Sequence, residues 1–213
     1  MEANMSTQRG FTLVELLVSV AIFTVVMVIA LGSLLAISAA NRKAETMKSV
    51  MNNLNFALDS MSRTIRTGFS YHCGSSGTIT TPQDCSGGNT YFAFEGSTGN
   101  TSLSNDQIVY TLRNCSGQGA SCPANDPDRI LCGQDEGDVG CVVRSTDGGS
   151  TFAPITASEV VVSILRFYTL GAPASDFIQP KVVMTLTGYV IVAAGQTSQF
   201  QLQTSITQRI YDE

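Results

Sequence analysis

The 213-residue sequence has no tryptophan, one histidine (His72) and no proline before Pro82, and it lacks both a GxxxxGK phosphate loop and a GxGxxG turn. These absences leave little for hydrolase, kinase or dehydrogenase chemistry, which needs groups that titrate near neutrality or a glycine-rich cradle for phosphate. Charge is sparse too, with 12 basic and 17 acidic side chains and a net charge of -5. A nucleic-acid binder carries a basic footprint instead, so nucleic acid is not an expected partner. With 43% hydrophobic residues the chain is nevertheless too apolar for disorder.

What the sequence does have is a long run without charge. From Leu16 to Asn41 there are 26 residues and no Asp, Glu, Lys or Arg, and the run is apolar all round rather than on one stripe. A bilayer core of roughly 30 Å takes about 20 helical residues, so this segment is long enough to span it with some tilt. A secretory signal fits less well, because the run exceeds the roughly 7 to 15 residues of an h-region, ends without a small-x-small cleavage site and continues as a helical pattern. At its head stands Glu15, a carboxylate where an ionisable group is costly and calls for a partner.

The string Arg9-Gly10-Phe11-Thr12-Leu13-Val14-Glu15-Leu16-Leu17-Val18 resembles the processing and methylation site of type IV prepilins and type II secretion pseudopilins. The likeness lies in a short polar leader ending in Gly, a following Phe, a Glu four residues further on and a long apolar helix. It implies that a prepilin peptidase cuts between Gly10 and Phe11, methylates the new amine and leaves 203 residues; Met5 as the start would give a six-residue leader. It also implies that Glu15, one helical turn from Phe11, neutralises its own amine or a neighbour's and sets subunit register.

Beyond the span the pattern becomes amphipathic, with Met47, Met51, Leu54, Leu58, Met61 and Ile65 at steps of four and three and a stop at Gly68. The repeat is too short, and too poor in flanking charge pairs, for a dimeric coiled coil. In the family this half-helix packs on the protein's own β head. Gly32 stands where many major pilins have proline, and weakens the helix by only about 1 kcal/mol.

From Phe69 onward Gly, Ser, Thr and Asn dominate and β-type runs appear: Ile108 to Arg113, Val160 to Phe167, Lys181 to Val192, and a terminal run in which Phe200, Leu202, Thr204, Ile206 and Ile210 alternate with polar residues. The expected head is mainly antiparallel β. Six cysteines in an exported head imply disulfides, and proximity favours Cys73 with Cys85, Cys115 with Cys122 and Cys132 with Cys141, as local staples of loops that bury little. The spacing suits neither a zinc site nor a Cys-His protease pair, so His72 is expected on a surface loop. Asp126, Asp128, Asp135, Glu136 and Asp138 cluster near Cys132 and Cys141; hard oxygens there suit Ca2+, although EF-hand spacing is missing and a solvated acidic loop is the simpler account. Ser145, Asp147, Gly149, Thr151 and Phe152 resemble the Asp-box of sialidase-type hairpins, and a plain hairpin between Val142–Arg144 and Phe152–Ile155 explains the same residues.

The expected fold is thus α+β and pilin-like, a long N-terminal helix packed on an antiparallel sheet. Residues 1–10 form a leader, 11–41 the transmembrane half-helix, 42–68 its amphipathic half and 69–213 the head. Residues 40–68 hold five basic and two acidic groups and the head six and thirteen, so basic residues flank the span on the exported side, against the simple charge rule. The resemblance implies a non-enzymatic minor pilin or pseudopilin, most like the J-type, in the bacterial cytoplasmic membrane with its head outside and then in a filament. Its partners would be other such subunits, prepilin peptidase and membrane lipid. The alternative is a competence-type pilin or tip adhesin that binds DNA or a surface ligand through the head, which the acidity of the head disfavours.

Overall fold

A computed structural model describes residues 10–114, 126–134, 139–174, 176–193 and 196–209. The chain divides into two units between Glu45 and Thr46. Helix α1 is Leu13–Thr67, 55 residues without proline. It begins at Leu13 rather than Phe11 because Thr12 caps it: Thr12 Oγ1 accepts the Glu15 N–H at 3.3 Å, and the Thr12 carbonyl accepts that of Leu16 at 3.2 Å.

In the first unit every described residue is exposed, including Leu16, Phe23, Ile29 and Leu35. The hydroxyls of Ser19, Thr24 and Ser33 bond to backbone carbonyls three or four residues back, at 2.7 to 2.9 Å, so these polar groups are satisfied within the helix itself. A helix whose polar groups close on its own backbone while its apolar surface stays bare is suited to lipid.

In the second unit α1 buries Val50, Leu54, Ala57, Met61 and Ile65. The core stripe therefore differs from the expected one: Val50 is buried in place of Met47 and Met51, and Ala57 in place of Leu58, all three of which are half-buried.

The strands are β1 (Phe69–Cys73), β2 (Cys85–Asn89), β3 (Phe92–Glu95), β4 (Ile108–Asn114), β5 (Gly140–Ser145), β6 (Ala153–Pro154), β7 (Val160–Leu170), β8 (Lys181–Ala193) and β9 (Gln196–Thr207), with the short helix α2 (Pro127–Cys132) between β4 and β5. They form two antiparallel sheets, five strands in the order β1-β3-β4-β5-β6 and four in the order β2-β7-β8-β9. The architecture is α+β and pilin-like.

Aromatic rings fill the space between the sheets. Tyr71, Phe92, Phe94, Tyr110 and Phe167 are buried with neighbouring centroids 5.0 to 6.1 Å apart, and the Phe92–Phe167 stack joins one sheet to the other. The Tyr71 hydroxyl donates to the Ile65 carbonyl at 2.6 Å, a second donor beside the Gly68 N–H at 3.0 Å in the last turn of α1. Gly68 ends the helix because the chain there lies against the Phe94 ring and the Glu95 carbonyl, where a Cβ would overlap both.

Two disulfides lie among the described residues. Cys73–Cys85 links β1 to β2, the outer strands of different sheets, and Cys73 is fully buried. Cys132–Cys141 ties the last turn of α2 to β5 inside a second apolar cluster with Val139, Val143 and Phe152. The expectation of staples on loops that bury little is therefore corrected: both bonds sit in packed interior. Cys115 and Cys122 lie outside the described residues.

Candidate processing and assembly site

The N-terminal site is built by the start of α1. Gly10, Phe11 and Thr12 precede the first helical residue, so the Gly10–Phe11 peptide bond is exposed, non-helical backbone. A Cβ on Gly10 would meet nothing within 4 Å, and Phe11 is 75% exposed. A peptidase must seat its substrate in extended form, and this bond is the last stretch of chain free to do so before helical hydrogen bonding begins. Thr12 and Glu15 hold the N-cap and N3 positions, a Thr-x-x-Glu capping-box sequence that starts the helix two residues after the expected Phe11. The backbone N–H of Glu15 belongs to the cap, while its carboxylate has no partner among the described residues and stands among Leu13, Leu16 and Val18, all exposed. The helix that follows is long and apolar enough to cross a membrane.

A bare apolar helix, entered through a short exposed stretch and headed by a carboxylate with no partner among the described residues, is the arrangement of a subunit anchored by its N-terminal helix. Residues 5–31 match the family model described as the prokaryotic N-terminal methylation motif, a likeness that supports kinship with type IV pilins and pseudopilins. No curated protein and no solved structure matches the chain. The motif is that of a structural subunit, it implies processing by prepilin peptidase and assembly with other pilin subunits, and with the apolar helix it fits anchoring in the inner membrane.

In the head, the acidic residues singled out in the sequence are given other work. The Asp126 carboxylate caps α2, accepting the N–H groups of Asp128 and Arg129 at 2.9 and 3.4 Å, and Asp128 lies 4.0 Å from the Arg113 guanidinium. Asp135, Glu136 and Asp138 lie outside the described residues. His72 is buried on β1, not on a surface loop, with Nδ1 2.7 Å from the Thr81 carbonyl. It faces inward because β1, a strand unmarked by apolar alternation, runs beneath the Thr78–Gln83 turn.

The Asp-box residues form the β5–β6 turn. Asp147 accepts from Ser145 Oγ at 2.6 Å, from Thr151 Oγ1 at 2.6 Å and from the Thr151 N–H at 2.9 Å. These hydrogen bonds, those from Ser145 and Thr151 first, hold its pKa down to about 2. A carboxylate with both oxygens engaged and so strongly ionised is a brace for a hairpin and ill-suited to general acid catalysis.

Proposed function

We propose that the chain is a minor, non-enzymatic subunit of a type IV pilus or a type II secretion pseudopilus. The observation that carries the reading is the Gly10–Phe11 bond, exposed and outside the helix, directly ahead of a capped, charge-free span with Glu15 as its one carboxylate. Cleavage there leaves an amine on Phe11 one turn before Glu15. An ammonium and a carboxylate at the membrane are each costly unless paired, so an incoming subunit is favoured at the axial position where a Glu15 meets a Phe11 amine. The apolar helix then packs among its neighbours' helices, and the disulfide-bonded head stands outside the cytoplasm. A head of two sheets with a retained Glu15 resembles the J-type minor pseudopilins more than a small repeating subunit.

Intact mass measured with and without co-expressed prepilin peptidase tests this. The expected result is loss of residues 1–10 and gain of one methyl group, dependent on the peptidase. An uncut chain, or a cut near Ala40, overturns it. A Glu15→Leu chain should still be cut, since the bond is untouched, yet fail to enter filaments.

A further inference from the structure

Four strands lie at the edges of the two sheets, β1 and β6 of the first and β2 and β9 of the second. A bare edge is a row of unpaired N–H and C=O groups, which folded proteins blunt by shortness, proline, charge, a bulge or a cover. Three of these edges are blunted in such ways. β6 is two residues long and contains Pro154, and β2 has five residues, a shift of register against β7 and a disulfide to β1. β1 is bridged by Gln83, whose N–H donates to the Tyr71 carbonyl and whose carbonyl accepts the Cys73 N–H. β9 differs: it runs 12 residues, pairs with β8 in unbroken register from Lys181–Thr207 to Ile191–Thr197, and contains neither proline nor a charged residue.

The Gln208 N–H bonds to the Pro180 carbonyl at 3.0 Å, so even-numbered residues of β9 face β8 and the backbone groups of Gln201, Gln203, Ser205 and Thr207 face the open edge. The side chains of these four are exposed as well, and no second strand lies beside β9 among the described residues. Along its last four residues runs a groove of about 520 Å3, walled on the other side by Asp59, Ser62, Arg63 and Arg66 of α1. Beyond Thr207 the chain turns onto the helix, with the Arg209 N–H bonded to the Arg66 carbonyl at 2.9 Å. Arg63 is engaged by Asp59 at 2.8 Å, whereas Arg66 is exposed and forms no ion pair among the described residues. The groove thus joins an unpaired sheet edge to a polar wall with a free cation, in a head whose acidic groups outnumber its basic ones.

We propose that the open edge of β9 takes an added strand from another protein, an extended acidic segment that bonds to the odd-numbered residues of β9 and presents a carboxylate to Arg66. Main-chain bonds along the edge supply affinity whatever the sequence, and the alternate side chains that face α1 supply the choice. A basic segment meets Arg66 as a like charge, and a wall of Asp59, Ser62, Arg63 and Arg66 gives an apolar one little to pack on. Pairing of β9 with the β9 of a second copy brings no carboxylate, because the strand has no acidic residue. The edge and the groove belong to the head alone, so the inference goes beyond the subunit reading and does not rest on it.

The test is selection of a phage-displayed library of random peptides, of the 12-residue length of β9, on the detergent-solubilised full-length chain. Enriched peptides are expected to carry Asp or Glu, to lose binding to Gln203→Pro, which lacks one edge N–H, and to bind Arg66→Glu about tenfold more weakly. Should Gln203→Pro fail to fold, amide exchange of the parent decides. In the free chain Gln203 and Ser205 should exchange fast and Thr204 and Ile206 slowly, and an enriched peptide should slow Gln203 and Ser205. No enrichment over a detergent blank, binders without acidic residues, binding that survives either variant, or Gln203 and Ser205 already protected in the free chain would each overturn the proposal. The last result would mean that a second copy or the chain itself covers the edge, and sedimentation of the free chain tells those two apart.

Discussion

Single side chains divide into those whose meaning is local and those whose meaning depends on what folds against them. Glu15 was legible because a carboxylate heading 26 charge-free residues is anomalous in any fold. His72 and Glu95 were not, since nothing in their sequence neighbourhoods says that they will be enclosed. Tyr71 belongs to the second kind as well. Its ring packs between Phe92 and Phe94 while its hydroxyl caps Ile65, so Tyr71→Phe keeps the packing and removes one hydrogen bond. Because the Ile65 carbonyl still accepts from the Gly68 N–H at 3.0 Å, the loss in denaturant unfolding should be about 1 kcal/mol and not the several that an orphaned carbonyl would cost. Asp147 gives a pH signature. Its folded pKa lies below the unfolded value, so its stabilisation is complete above the ordinary carboxylate range and is lost as pH falls through about 2. The Thr151 amide resonance should therefore titrate near pH 2, and an inflection near 4 would mean that the Ser145 and Thr151 bonds are not formed in solution.

Among elements, β4, β7, β8 and β9 were readable as apolar or alternating runs, because each is long enough for period-2 burial to show. The strands β1 to β3 were not. β2 reads Cys-Ser-Gly-Gly-Asn, with no intrinsic preference for a strand, and holds its place by the disulfide to β1 and by pairing with β7. Register gives β9 a sharper property than composition could. Gln208 N–H donates to the Pro180 carbonyl and Arg209 N–H turns away to that of Arg66, so even-numbered residues of β9 hydrogen-bond to β8 and odd-numbered ones face the open edge. Proline should be read accordingly. Gln203→Pro removes an edge N–H and should cost about 1 kcal/mol or less, whereas Thr204→Pro breaks the ladder at Met184 and should cost about 1 to 3 kcal/mol more. Equal losses for the two variants in denaturant melts would refute the register.

At the scale of the whole head, the joint between the sheets decides how it comes apart. The Cys73–Cys85 bond stands at that joint. Cys73 lies opposite Phe92 on β3, Cys85 lies opposite Thr169 on β7, and the rings of Phe92 and Phe167 stack 5.0 Å apart across the seam. Sequence proximity names this pair but cannot say that its partners belong to different sheets, because that depends on the chain passing from one sheet to the other between β1 and β2, a step with no local signature. The cross-link closes a separation of 12 residues, so its removal frees the unfolded chain by an amount equivalent to about 2 to 4 kcal/mol. It also leaves β2, a short strand of poor propensity, with only one neighbouring strand to hold it. Cys132–Cys141 differs in kind, since it fastens a single turn of helix to β5 within its own small cluster. Replacing Cys73 and Cys85 with alanine should therefore lower the unfolding free energy of the full-length chain in detergent and raise amide exchange along β2 and the adjoining half of β7. Replacing Cys132 and Cys141 should raise exchange mainly in α2 and at the start of β5. If the first pair of substitutions left β7 as protected as before, the aromatic seam alone would be holding the sheets together and the disulfide would be incidental to the head's cohesion.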